Sequence, residues 1–213
     1  MKRIIFALSI FQIATFMCAM AQELKPIHLP PPQTEIGKPL MQALKLRQSS
    51  RSFDSKALPL QELSNLLWAA CGINRPESGK RTAPSAMNWQ EVDVYVALQE
   101  GVFLYDAKMN RLNPVLAKDL RPATGSQAFA ASAPVNLVYV GDLSRVSNAS
   151  DEDKVLYTAA DVGFIAENVY LYCASQGFAV VVRGSVDRAA LAAAFKLRPE
   201  QKIILAQTIG YGK

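Results

Sequence analysis

The chain runs to 213 residues, half of them apolar, with 23 Lys and Arg against 18 Asp and Glu and a single histidine. That length suits one domain with a real core, and the modest basic excess, with no long cationic run interleaved with aromatics, gives no footing to a nucleic-acid binder. The lone histidine, His28, lies in a Pro-rich tail, which all but excludes a Ser-His-Asp or Cys-His site and any multi-histidine zinc site. A chain this poor in catalytic groups of its own points to a borrowed cofactor or to no catalysis.

Lys2-Arg3, the apolar run from Ile4 to Met17 and Ala19-Met20-Ala21 read as a signal peptide cut after Ala21, and the protein as exported, most simply to a periplasm. The apolar run is too short to span a bilayer comfortably and polar Gln22-Glu23 follows at once, so no stable membrane anchor is expected. Thr15-Phe16-Met17 also lacks the small residue that a lipidated Cys18 would need before it. Losing Lys2 and Arg3 lowers the net charge from +5 to +3. It leaves Cys71 and Cys173, both on apolar helical patterns; export permits a disulfide, but a buried thiol is the ordinary reading.

Residues 22–37, with Pro26 and Pro30-Pro31-Pro32, read as an extended arm with little internal structure, and residues 38–213 as one domain. Pro39 opens a short helix carrying Leu40, Ala43, Leu44 and Leu46. A second helix starts at Pro59, keeps Leu60, Leu63, Leu66, Leu67 and Cys71 at helical spacing, and closes at Gly72. A long Gly/Pro/Ser-rich loop spans Ile73 to Gln90. Val92 to Leu98 alternates as a strand, Glu100-Gly101 turns, and Val102 to Tyr105 returns. Arg111 to Val115 gives a weak further strand, Gln127 to Ala133 a helix, and Val135 to Val140 a buried strand.

Leu143 to Asp153 reads as a polar surface loop. From Lys154 to Gln176 comes the longest helical pattern, apolar on more than one face, which must be buried in the domain or against another chain. A strand (Phe178 to Val182), a helix (Asp187 to Leu197) and a last strand (Lys202 to Ile209) complete the chain. Without regular βαβ alternation the class is α+β.

Two segments stand out chemically. Arg47-Gln48-Ser49-Ser50-Arg51-Ser52-Phe53 puts two guanidinium groups and three hydroxyls into seven residues at a helix end, a donor set suited to phosphate although such runs are usually solvated loops. The long loop ends in Pro84-Ser85-Ala86-Met87-Asn88-Trp89-Gln90, rich in amides and aromatics, and loops this long in a compact domain are commonly functional.

Together with Asp161-Val162-Gly163-Phe164 through Asn168-Val169-Tyr170-Leu171, Val181-Val182-Arg183-Gly184 and Ile209-Gly210-Tyr211, these segments resemble the FMN-dependent nitroreductase family in order and spacing from about Pro39 onward. The Pro-Ser-Ala segment is most similar to the subgroup that includes azoline-oxidising dehydrogenases. The resemblance implies a three-layer α+β fold with a central mixed or antiparallel sheet, in an intertwined homodimer with FMN at the subunit interface. It also implies residue roles. Arg47, Gln48 and Ser49 would hold the phosphate end of FMN, and Arg51 would lie near the flavin edge that gains negative charge on reduction. Pro84, Ser85, Ala86 and Asn88 would line the isoalloxazine, although Asn88 read alone is a turn-forming asparagine. Gly184 would bring the backbone close to N5.

Two departures stand out. Arg183, counted with Gly184 among the expected cofactor-binding residues, replaces an acidic residue common before that glycine, altering the donor or the preferred substrate charge or else pointing to solvent. The chain also stops at Lys213, the only residue left to play the part of the basic segment by which relatives help hold phosphate. The implied activity is ping-pong two-electron transfer through FMN from NAD(P)H or another reductant to a nitroaromatic, a quinone or a similar small acceptor. The alternatives are a redox-inert flavin-binding protein and an azoline-type dehydrogenase.

Overall fold

Alternation of side chains above and below the backbone decides how this chain layers itself. The computed structural model describes residues 23–213, so the signal-peptide reading of residues 1–21 lies outside the described residues. In chain order the elements are β1 (Ile27–His28), α1 (Leu40–Leu46), α2 (Leu60–Cys71), β2 (Ile73–Arg75), β3 (Lys80–Arg81), β4 (Val92–Ala97), β5 (Val102–Asp106) and β6 (Arg111–Leu116). They continue with α3 (Ala128–Ser132), β7 (Val135–Asp142), α4 (Asp151–Gln176), β8 (Ala179–Arg183), α5 (Arg188–Phe195) and β9 (Gln201–Gly210).

Seven strands form one sheet in the order β1-β6-β5-β4-β7-β9-β8, and every pairing in it is antiparallel. Val94 and Val96 of β4, with Leu137 and Tyr139 of β7, face one side, where they meet α2 and α4. Tyr95 and Ala97, with Val138 and Val140, face the other, where Leu191 and Phe195 of α5 cover them. The result is a three-layer α+β fold with its core on both faces of the sheet.

Several boundaries differ from the sequence reading, each for a local reason. The N-terminal arm is not loose: Ile27 and His28 pair with Leu112 and Arg111 at the sheet edge. Further along it, the Pro30 carbonyl accepts from Ser64 Oγ at 2.5 Å and from Asn110 Nδ2 at 2.9 Å. The long loop after Gly72 contains the hairpin β2–β3. Helix α4 begins at Asp151, three residues earlier than expected, because Ser150 caps it by accepting the Asp153 N–H at 3.1 Å. Asp151, Glu152 and Asp153 in its first turn complement the helix dipole.

Cys71 and Cys173 are free and buried, not bridged, and burial pushes the Cys71 thiol up to about 11. Among the described residues no helix is long and apolar enough to cross a membrane.

Apolar side chains remain outside this core in two helices. On α1, Leu40, Met41, Leu44 and Leu46 are exposed and only Ala43 is buried. On α4, Val162, Ile165, Val169 and Cys173 are buried against the sheet, while Val155, Leu156, Tyr157 and Phe164 are exposed.

Candidate functional site

Helix α1 ends at Arg47, whose N–H caps the Ala43 carbonyl at 2.8 Å, and the chain leaves in an extended conformation. It then runs beside β8, the edge strand, where the Ser50 N–H donates to the Val180 carbonyl at 2.9 Å. Tyr170 of α4 organises this stretch. Its ring lies 5.5 Å from the Arg47 guanidinium, its Oη accepts the Val182 N–H at 2.9 Å, and it is 2.8 Å from Ser49 Oγ. With Tyr170 donating to Ser49, the Ser49 hydroxyl proton is left to point outward.

The C-terminal tail folds against the same stretch. Phe53 bridges Gly212 and the Asp54 N–H donates to the Tyr211 carbonyl at 2.8 Å, which brings Lys213 alongside. Arg47, Gln48, Ser49, Arg51 and Lys213 are all exposed here. This is an open, cation-rich cradle with a hydroxyl donor in it, a donor set that suits a phosphate.

At the C-terminal end of β8, next to the Ser49–Tyr170–Val182 contact, the two sequence-predicted residues part company. Gly184 is exposed, and a Cβ built on it would meet only Leu205 Cδ2, at 4.0 Å, so the backbone is open to an approaching ligand. Arg183 instead points into the protein, which corrects the solvent-facing alternative. Its guanidinium donates to Thr208 Oγ1 and Asn136 Oδ1 at 2.8 and 2.9 Å and to the Thr124 carbonyl, with Phe129 under it at 5.9 Å. Burial with no acid beside it pulls its pKa down to about 10. A side chain at Gly125 would collide with this guanidinium. Arg183 is therefore occupied inside the fold, and its side chain is not part of the open surface beside Gly184.

The loop from Pro84 to Gln90 sits elsewhere. Ser85 Oγ accepts the Gln90 N–H at 3.0 Å, and the Ala86 N–H donates to Asp161 Oδ2 of α4 at 2.9 Å. Met87, Asn88 and Gln90 all adopt left-handed φ, at 49, 57 and 49°. Asn88 donates its N–H to the Ser85 carbonyl at 3.0 Å, so its turn-forming role is satisfied within the loop. Pro84 and Asn88 are exposed, Ser85 and Ala86 half-buried. Beneath lies a pocket of ≈ 220 Å³ whose wall includes Arg75, Lys80, Arg81, Ser85, Asn88 and Glu91.

The loop is tied to α4 at Asp161 and the Arg47–Ser49 cradle at Tyr170. Nine residues apart, these points lie roughly 13 Å apart along the helix. The structure thus lays Arg47, Ser49 and Arg51 along β8, with Lys213 at the strand's Ala179 end, and leaves Pro84, Ser85, Ala86 and Asn88 at another level of α4. Tyr170 and Asp161, which position the two halves, were given no role in the sequence reading. Their only signal was a polar group on the otherwise apolar inner face of a long helix.

The profile of the nitroreductase family matches residues 44–211. The chain belongs to the nitroreductase family. A protein of Methanocaldococcus jannaschii whose own naming as a nitroreductase is provisional is 31% identical over 167 residues, covering 71% of this chain and 84% of that one. A crystal structure of a Ralstonia eutropha protein, likewise provisionally named a nitroreductase, is 45% identical and superposes with a TM-score of 0.85 over 89% of this chain and 90% of that one. The NADPH:FMN oxidoreductase of Vibrio harveyi, in complex with NAD+, shares the fold at 19% identity, with a TM-score of 0.62 over 82% of this chain and 69% of that one. Family membership makes this chain an oxidoreductase of the flavin-using type in general, and it fits the cation cradle beside an edge strand that ends in an open glycine.

Proposed function

We propose that the protein is an exported FMN-dependent oxidoreductase that works by ping-pong transfer, as a homodimer, on a small acceptor such as a nitroaromatic or a quinone. The observation that carries this reading is that Arg47, Ser49 and Arg51 lie along edge strand β8, with the Tyr170-held Ser49 at the same end of the strand as open Gly184. The residues fit the cofactor: cations and a free hydroxyl suit its phosphate, and a glycine backbone without steric cover suits the edge of its ring.

In this reading Arg47 and Ser49 hold the phosphate, with Tyr170 fixing both. Arg51 stands over the ring edge that gains negative charge. Gly184 lets the main chain approach N5, and Pro84, Ser85, Ala86 and Asn88 form a wall supplied by the second protomer. Bound FMN would supply the two-electron chemistry, taking hydride from a donor in one half-reaction and giving it to an acceptor in the next. No side chain has to act as acid or base in that scheme, which suits a chain with one histidine, in its Pro-rich arm. Export from the cytoplasm removes NAD(P)H from reach, so a quinol or a partner protein is the donor this reading favours.

The test is the flavin absorbance of purified protein, then anaerobic reduction with NADPH and with a quinol. Arg47→Ala is expected to weaken FMN binding, whereas Arg51→Ala keeps FMN and lowers its reduction potential. Protein that stays colourless after addition of FMN would overturn the proposal, and equal flavin loss in both variants would overturn the division of roles.

A further inference from the structure

Under the Pro84–Gln90 loop lie three polar groups that the scheme above does not use. Glu91 is 0% exposed, and neither of its carboxyl oxygens has a hydrogen-bond donor. Thr158 of α4, also 0% exposed, has an unpartnered Oγ1. Asp161, one helical turn further on and 3% exposed, accepts the Ala86 N–H and lines the same pocket as Glu91, where its charge raises the Glu91 pKa.

Among the described residues no cation is paired directly with Glu91 or Asp161. Arg75, Lys80 and Arg81 of the hairpin share the pocket wall, but Arg81 is committed to Gln90 Oε1 and the Cys71 carbonyl and Arg75 to the Arg81 carbonyl. Arg145, whose charge reaches Glu91, is committed to Asp93 of β4 at 2.8 Å and to the Gln90 carbonyl at 3.2 Å. Two ionised carboxylates buried side by side without a counter-ion are strongly unfavourable, and a single proton removes the repulsion and supplies the missing hydrogen bond together.

We propose that Glu91 carries a proton directed toward Asp161, and that this proton fixes Asp161 on the Ala86 N–H and so holds the Pro84–Gln90 loop in its flavin-lining shape. Glu91 is thus a positioning residue acting through Asp161. When the proton leaves, the second buried negative charge drives the pair apart, and the loop, already strained at Met87, Asn88 and Gln90, lets go. Burial and the Asp161 charge raise Glu91 to about 7, so release falls in an accessible range. The loop's place as a flavin wall rests on the reading given above; the Glu91 proton does not.

Two measurements on the full chain separate these. Hydrogen exchange should show the Ala86 amide protected at about pH 6 and unprotected at about pH 8.5, after correction for intrinsic exchange. Titration with free FMN over the same range should show binding up to about thirtyfold weaker at the higher pH, the shift expected when only the protonated form binds. Glu91→Gln, which keeps a neutral donor toward Asp161, should make both flat.

Wild-type protection that does not titrate, or a Glu91→Gln protein that titrates as wild type does, would each overturn the proposal. If Ala86 titrates as described but FMN binds at no pH, the Glu91 proton stands and the flavin reading falls.

Discussion

A guanidinium buried among neutral acceptors, as Arg183 is among Thr124, Asn136 and Thr208, keeps its charge only because each oxygen around it is aimed at it. Arg183→Met would relieve the buried charge but orphan those acceptors, each costing roughly 1–3 kcal/mol, and we expect a net loss of about 2 kcal/mol in urea unfolding. A more stable variant would show that desolvation of the charge is the larger effect.

Glu91 gives the opposite pH signature from a salt-bridged acid. Its pKa is raised from 4.5 to about 7, so the native state binds the extra proton, and stability falls as pH rises through that window and is flat above it. The loss is on the order of 3 kcal/mol, and Glu91→Gln should flatten it in denaturation curves taken at several pH values. Arg183 stood out in the sequence as a departure but its inward aim did not, and Glu91, just before central strand β4, did not stand out at all, because nothing in a sequence says which side chains a distant loop or helix will wall in.

At the scale of elements the sequence was readable wherever one periodicity dominated. α2 carries Pro before its first turn and Gly after its last, with a clean apolar stripe between, and its ends fell where those signals put them. α4 was visible as a helix but its start was not, since Ser150 caps from inside a run that looks like loop. The hairpin β2–β3 was missed because a two-residue strand has no period to detect.

The Pro84–Gln90 loop shows strain as well as position. Met87 is 83% exposed with φ at +49°, so its side chain contributes little burial while its backbone sits where L-residues are disfavoured. Met87→Gly should therefore stabilise the protein by roughly 0.5–1 kcal/mol, seen as a higher Tm, because the glycine relieves the strain at small cost in packing. A lower Tm would mean that the Met87 side chain has a contact beyond the protomer.

Across the whole molecule, α1 and α4 each leave an apolar face uncovered, and the Arg47–Ser49 stretch and the Pro84–Gln90 loop are held at different levels of α4. Exposed Leu40, Met41 and Leu44, with Val155, Leu156 and Phe164, are more apolar surface than scattered side chains explain, and a second copy is the natural cover. If the phosphate cradle of one protomer meets the Pro84–Gln90 loop of the other, damage to the two halves must complement. Arg47→Ala and Asn88→Asp homodimers should each bind FMN poorly, the first for lack of a phosphate ligand. In the second, the amide donor is lost and a charge gained, while the left-handed backbone at Asn88 is still tolerated. Co-expressed, they should form heterodimers in which both defects fall on one site and the other site is intact. With random pairing about half of the dimers are mixed, so about a quarter of all sites should regain wild-type affinity, readable as bound flavin per chain. A site built within one chain predicts no recovery at any ratio of the two variants.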